Sequence, residues 1–251
     1  MSFPASPAPI SLPHSPRGPL LLASVRSVAE ALAAVAGGAA IIDAKEPERG
    51  ALGDVAPLEV TAIRAALASG ILVSATIGDV AAAELDEIEA RIAAMSAAGA
   101  DIVKIGLFSP GDPHALLDRL AGNRTAFGRR FLVVLADRGV DLTLLRSLPA
   151  AGFAGVMLDT ADKAAGSLPD VLDRDALAEF VFTARQAGLR VGLAGALRLW
   201  HIPRMLALGA DILGFRGALC AGSERAGDVD TRLVTEVACA MRLPAEALPA
   251  L

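Results

Sequence analysis

Apolar runs of five to seven residues recur along the chain, separated by longer mixed segments. Eight of them read as strands: 19–25, 39–44, 71–76, 101–106, 130–136, 155–159, 190–195 and 211–216. They are nearly continuous in apolar residues rather than alternating, which is the pattern of strands covered on both faces. The segments between them read as helices. Residues 27–38 begin with Ser27 and stop at a glycine pair, as helix ends prefer. Residues 80–99 form a longer helical stretch, with Asp79 as a candidate N-cap. "AGGAAIID", "AAGADIVK", "AAGFAGVM" and "ALGADILG" share one local grammar: a helix end, a glycine that closes it, then a buried strand.

Strands that alternate with helices pair in parallel. Eight such units in about 230 residues is the count of an α/β fold of the (β/α)8, or TIM-barrel, type. A doubly wound open sheet is the alternative, but it does not predict eight. No linker divides the repeats, so residues 19–245 are expected to form a single catalytic domain. Residues 1–18 are rich in proline and serine and are expected to form a flexible arm. The arm lacks the basic start and apolar core of a secretory signal.

Bulk properties narrow the partners. A net charge of −5 with no basic stretch argues against nucleic acid. No uncharged apolar run reaches the length of a membrane span. Cys220 and Cys239 are too few for a disulfide framework, which fits a reduced, cytoplasmic setting. His14, His114 and His201 are scattered, so neither a metal nor another cofactor is expected. A homo-oligomer is compatible with the sequence, and nothing in the sequence sets the number of subunits.

The chemistry starts at "AAIIDAKEPERGALGD", residues 39–54. Here a buried strand ends in Asp43 and Lys45, and residues two apart share a face. Barrel enzymes keep their active sites at the C-terminal ends of the strands, where this pair falls. Lysine usage sharpens the point. Among 23 basic residues only Lys45, Lys104 and Lys163 are lysines. Arginine stays charged in proteins, whereas lysine can be tuned toward the neutral amine. All three lie on even-numbered strands or in the loop after one: Lys104 inside "DIVKIGL", and Lys163 four residues after Asp159.

A neutral amine attacks a carbonyl to give an imine, which serves as an electron sink. A second amine nearby lowers the pKa of the first and can accept a proton. Asp43 and Asp159 are placed to orient the lysines. "LAGAL" (193–197) and "GFRGALC" (214–220) follow the seventh and eighth strands, the usual barrel phosphate site. Gly195, Ala196 and Gly217 offer backbone N–H groups there, and Arg216 a fork of donors. Together these features point to a small phosphorylated aldehyde or ketone handled through an imine.

The motifs "IIDAKEPERGALG", "VSATIGD", "DIVKIGL", "VMLDTADK", "LAGAL", "HIPRMLALGADILGFRGA" and "DVD", in this order, resemble the (5-formylfuran-3-yl)methyl phosphate synthase family over residues 20–240. The resemblance implies an enzyme that joins two molecules of glyceraldehyde 3-phosphate, losing phosphate and water, for methanofuran-type cofactor biosynthesis. It implies Lys45 as the Schiff-base lysine, Lys104 as proton acceptor, and Asp43, Asp159 and Lys163 as further functional residues. The N-terminal arm, the loop after Lys163 and Trp200 depart from the family pattern. Two other readings use the same features: a class I aldolase-like barrel acting on another sugar phosphate, and a non-catalytic phosphate-binding barrel.

Overall fold

A computed structural model describes residues 18–122, 128–162 and 166–242. All eight expected strands are present: β1 (Leu20–Val25), β2 (Ile41–Ala44), β3 (Leu72–Thr76), β4 (Ile102–Gly106), β5 (Arg129–Leu135), β6 (Phe153–Asp159), β7 (Arg190–Leu193) and β8 (Ile212–Phe215). Each pairs in parallel with the next, and β8 returns to β1, so the sheet closes as a (β/α)8 barrel. The helices are α1 (Val28–Ala36), α2 (Pro57–Ala66), α3 (Leu85–Ala97), α4 (Pro113–Gly122), α5 (Leu142–Leu145), α6 (Leu168–Val171), α7 (Arg174–Gln186), α8 (Ile202–Ala207) and α9 (Thr231–Ala240). The arm expected over residues 1–18 lies outside the described residues, apart from Gly18.

The continuous apolar strands divide between two cores. Ile42, Ala44, Val103, Ile105, Val156 and Leu158 point outward into the layer beneath the helices. Ile41, Leu72, Ile102, Phe131, Val133 and Met157 point inward and fill the barrel. Burying a Val, Leu or Ile side chain fully is worth about 1.5–3 kcal/mol, so both layers strongly oppose a one-residue register slip. Such a slip would exchange the two faces. Alternation therefore sends Asp43 and Lys45 inward after Ile41, Lys104 inward after Ile102, and Asp159 inward after Met157.

Helix ends follow local chemistry. The Ser27 side chain accepts the N–H of Glu30 at the start of α1, and Gly37 closes that helix. Asp79 does not cap the next long helix as expected. The chain first bridges Ala81 to Phe108, and α3 begins only at Leu85. The Asp79 carboxylate accepts instead from the N–H groups of Ala51 and Leu52, at 2.9 and 2.6 Å. It thereby ties down the loop that follows Lys45. Gly50 in this loop has φ +95°, and a Cβ there would collide with the Asp79 carboxylate.

Candidate active site

Register builds the floor of the site. Ser24 of β1, Asp43 of β2 and Ser74 of β3 lie side by side in the ladder, so their side chains share one level of the barrel. Asp43 is fully buried. Its carboxylate accepts from Ser24 Oγ at 3.2 Å, from Ser74 Oγ at 2.6 Å and from Lys104 Nζ at 2.6 Å. A buried charge needs such partners, because desolvation without them costs several kcal/mol or more. Lys104 stands next to Thr76 in the β3–β4 register and reaches across β3 to Asp43.

Lys45 sits just past the end of β2. Its N–H is held by the Val25 carbonyl at 2.9 Å. Its ammonium faces Asp159 Oδ2 at 3.5 Å, with both side chains more than nine-tenths buried. The other oxygen of Asp159 accepts the N–H of Thr160 at 2.8 Å. Each lysine thus meets an aspartate carried by a different strand: Lys104 with Asp43, Lys45 with Asp159. Both pairs line one cleft of about 840 Å³, open in part to solvent. Lys163 lies outside the described residues. The loop leading to it is anchored by Asp137, whose carboxylate accepts from the N–H groups of Ala161 and Asp162 at 2.8 and 2.7 Å.

Opposite these pairs, the cleft wall is backbone. Gly195 has φ +104° and Ala196 φ 48°. A non-glycine residue in the left-handed region is uncommon and clusters at ligand sites. The N–H groups of Ala196, Leu197 and Gly217 have no hydrogen-bond partner among the described residues. The Arg198 guanidinium lies over Gly217, so close that a Cβ there would be 3.2 Å from its Nη1. Backbone donors, a bare glycine and a guanidinium together can cradle a phosphate.

Arg216 does not supply the fork expected of it. Its five N–H donors are all engaged within the protein. They reach Glu30 through both carboxylate oxygens, at 2.5 and 3.1 Å, and the carbonyls of Ser24, Arg225 and Gly227 at 3.0, 2.8 and 2.7 Å. The physical reason is burial: a guanidinium this deep must satisfy every donor, and Glu30 on α1 is nearest. Arg216 therefore holds the loop after β8 in place. Arg198 and Arg225 line the cleft beside it.

Among the described residues no cluster of three or more His, Cys, Asp or Glu could hold a metal ion, and no helix is long and apolar enough to cross a membrane.

Known proteins resemble this chain in sequence and in fold. The sequence profile of the 4-HFC-P synthase family matches residues 21–238. A Methylorubrum extorquens protein provisionally named (5-formylfuran-3-yl)methyl phosphate synthase is 42% identical over 224 residues, covering 89% of this chain and 92% of that one. The (5-formylfuran-3-yl)methyl phosphate synthase of Methanocaldococcus jannaschii is 35% identical over 232 residues, covering 87% of this chain and 97% of its own. In fold alone, the barrel resembles 3-hexulose-6-phosphate synthase from Salmonella typhimurium, with a TM-score of 0.62 at 20% identity over 87% of this chain and 97% of that one. With a family profile that matches residues 21–238 and relatives 35–42% identical over most of its length, the chain belongs to the 4-HFC-P synthase family.

Proposed function

We propose that this enzyme condenses two molecules of glyceraldehyde 3-phosphate into (5-formylfuran-3-yl)methyl phosphate through a Schiff base on Lys45. The supporting observation is the pair of buried lysines, each facing an aspartate of another strand, in one cleft with a backbone anion cradle. The relatives' names support the same product.

In this reading one glyceraldehyde 3-phosphate sits with its phosphate against residues 195–198 and Gly217. The free amine of Lys45 attacks its aldehyde carbon, and water leaves as the imine forms. Asp159 holds the Lys45 amine at the carbonyl and balances the charge of the iminium. Lys104, as the free amine, removes the proton of the carbon next to the imine, and the resulting enamine expels inorganic phosphate from the third carbon, which leaves an enol conjugated with the iminium. Asp43 positions Lys104 and stabilises its ammonium. The terminal carbon of the enol then attacks the carbonyl of the second triose phosphate, isomerised to its ketone form, and Lys104 returns a proton to the new alkoxide. The free hydroxyl of the second triose closes the ring on the carbonyl that the enol has become. Loss of two waters makes the furan, and hydrolysis of the imine frees Lys45 and leaves the formyl group, with a total balance of one phosphate and two waters. Lys163 and the aspartates supply protons in these later steps. No step needs an external oxidant or a metal.

We assign the product to methanofuran-type cofactor synthesis in the cytoplasm. The test is product analysis. Purified protein with glyceraldehyde 3-phosphate should release inorganic phosphate and a furan aldehyde chromophore in equal amounts, and Lys45→Arg should give neither while remaining folded. A six-carbon sugar phosphate without phosphate release would instead establish the aldolase reading. Full activity in Lys45→Arg would remove the imine from the mechanism.

A further inference from the structure

A second cleft of about 920 Å³ opens at the mouth of the barrel beside the Lys45 cleft. Its walls come from the loops after β2 through β6, with Arg225 as the exception. Arg225 arises in the loop after β8, beyond the phosphate cradle, yet it reaches across the mouth and lines both clefts. Pro47 is the other residue the two share.

The loop carrying Arg225 is braced for this position. Buried Arg216 grips the Arg225 carbonyl through Nε and the Gly227 carbonyl through Nη2. The guanidinium of Arg225 itself is half-buried and has no hydrogen-bond partner among the described residues. Burial pushes its pKa down, opposed by the charge of Asp159 across the cleft. A cation partly stripped of water, and held without a partner by a satisfied neighbour, is a receiver for an anion. The second cleft also exposes Arg138, and on the acidic side Glu48, Asp79 and Asp162. Asp79 is committed to the N–H groups of Ala51 and Leu52. An anion entering here is therefore directed to the Arg225 edge rather than to the cleft as a whole.

The condensation brings together two phosphorylated trioses, each with a dianionic group that repels the other. The cradle at 195–198 and Gly217 serves one of them. We propose that Arg225 binds the phosphate of the second triose phosphate, the one whose ketone carbon is attacked and whose phosphate is kept. This rests on the condensation reading for the identity of the ligand, but not for the existence of the anion site. Arg225 lines the second cleft as well as the first, whereas residues 195–198 and Gly217 line the first alone. The two carbon skeletons can then meet over the imine while their phosphates stay apart.

Glycerol 3-phosphate tests this, since it carries the same phosphate ester and has no carbonyl to form an imine. Calorimetric titration of the full chain should show two equivalents bound. Arg225→Gln should leave one site, the other falling roughly tenfold or more in affinity, as expected for loss of a charge-assisted fork. Arg225→Lys should restore part of that loss. Arg198→Gln should weaken the opposite site and spare the Arg225 site. One equivalent in the unmodified protein, or two undiminished equivalents in Arg225→Gln, would overturn the assignment. Two sites in a protein that makes no furan would sink the condensation reading and leave Arg225 as an anion receiver. The Arg225 side chain makes no intramolecular hydrogen bond among the described residues, so melting curves of its variants should superimpose on that of the parent.

Discussion

Removing Lys104 should cost more than any apolar contact it makes. The Lys104–Asp43 pair is 2.6 Å long, with side chains 4% and 1% exposed. Substituting Lys104→Met keeps most of the volume and deletes the cation. Asp43 then remains fully buried, with only the Ser24 and Ser74 hydroxyls to hold its charge. Breaking a buried ion pair from one side costs about 3–5 kcal/mol. In a domain of this size that corresponds to a fall in melting temperature of roughly 6–20 °C. Asp43→Asn should cost a similar amount by stranding the ammonium. The double variant Lys104→Met/Asp43→Asn should lose less than the sum, because both serines can still donate to the asparagine oxygen. The expected coupling is about 2 kcal/mol or more. Urea unfolding of the four proteins, followed by circular dichroism, measures it. Additivity within about 0.5 kcal/mol would refute the reasoning, because it would mean that Asp43 and Lys104 do not depend on each other for satisfaction.

Other outcomes follow from neighbouring groups. Asp79→Ala leaves the buried N–H groups of Ala51 and Leu52 unpaired and loosens the loop after Lys45; kcat/KM for furan formation should fall roughly ten- to a hundredfold, and unchanged turnover in steady-state assays would show that the loop needs no such anchor. His201 accepts the N–H of Arg198 through Nδ1 at 3.1 Å. Burial holds its pKa below the ordinary value, helped by Arg204 and Arg198 and opposed by Asp170. The unfolded chain therefore takes up a proton that the folded one resists. This contribution to stability is complete above the unfolded pKa of about 6.5; it is lost as the pH falls from there toward the lower folded pKa. Urea midpoints between neutral and mildly acidic pH should drop less steeply in His201→Gln than in the parent, and parallel curves would count against it.

The barrel was legible because its strands are covered on both faces. Near-continuous apolar runs, four of them preceded by a helix-closing glycine, leave little room for another reading. The Asp43–Lys45 spacing was legible for a related reason. Strand alternation is rigid, so two polar residues at i and i+2 must both point into the barrel. Arginine scattered over the surface made the rare lysines stand out. The misses share one cause: what a side chain does at the end of a strand depends on neighbours far away in sequence. Arg216 lies in the expected phosphate loop, yet Glu30, 186 residues earlier, takes its fork. Asp79 stands where an N-cap belongs, yet it serves amides 27 and 28 residues upstream. Ser24 and Ser74 are not singled out by the sequence, and only the register places both against Asp43. Their signal was present as hydroxyls in largely apolar runs, but it required the strand pairing to interpret. Arg225 had no local signal at all.

Borohydride trapping tests the central claim most directly. The protein is incubated with glyceraldehyde 3-phosphate, reduced, digested and examined by peptide mass spectrometry. The account predicts a triose adduct on Lys45, lost in Lys45→Arg and retained in Lys104→Met. Absence of an adduct on Lys45, Lys104 and Lys163, in folded protein that binds the substrate, would contradict it.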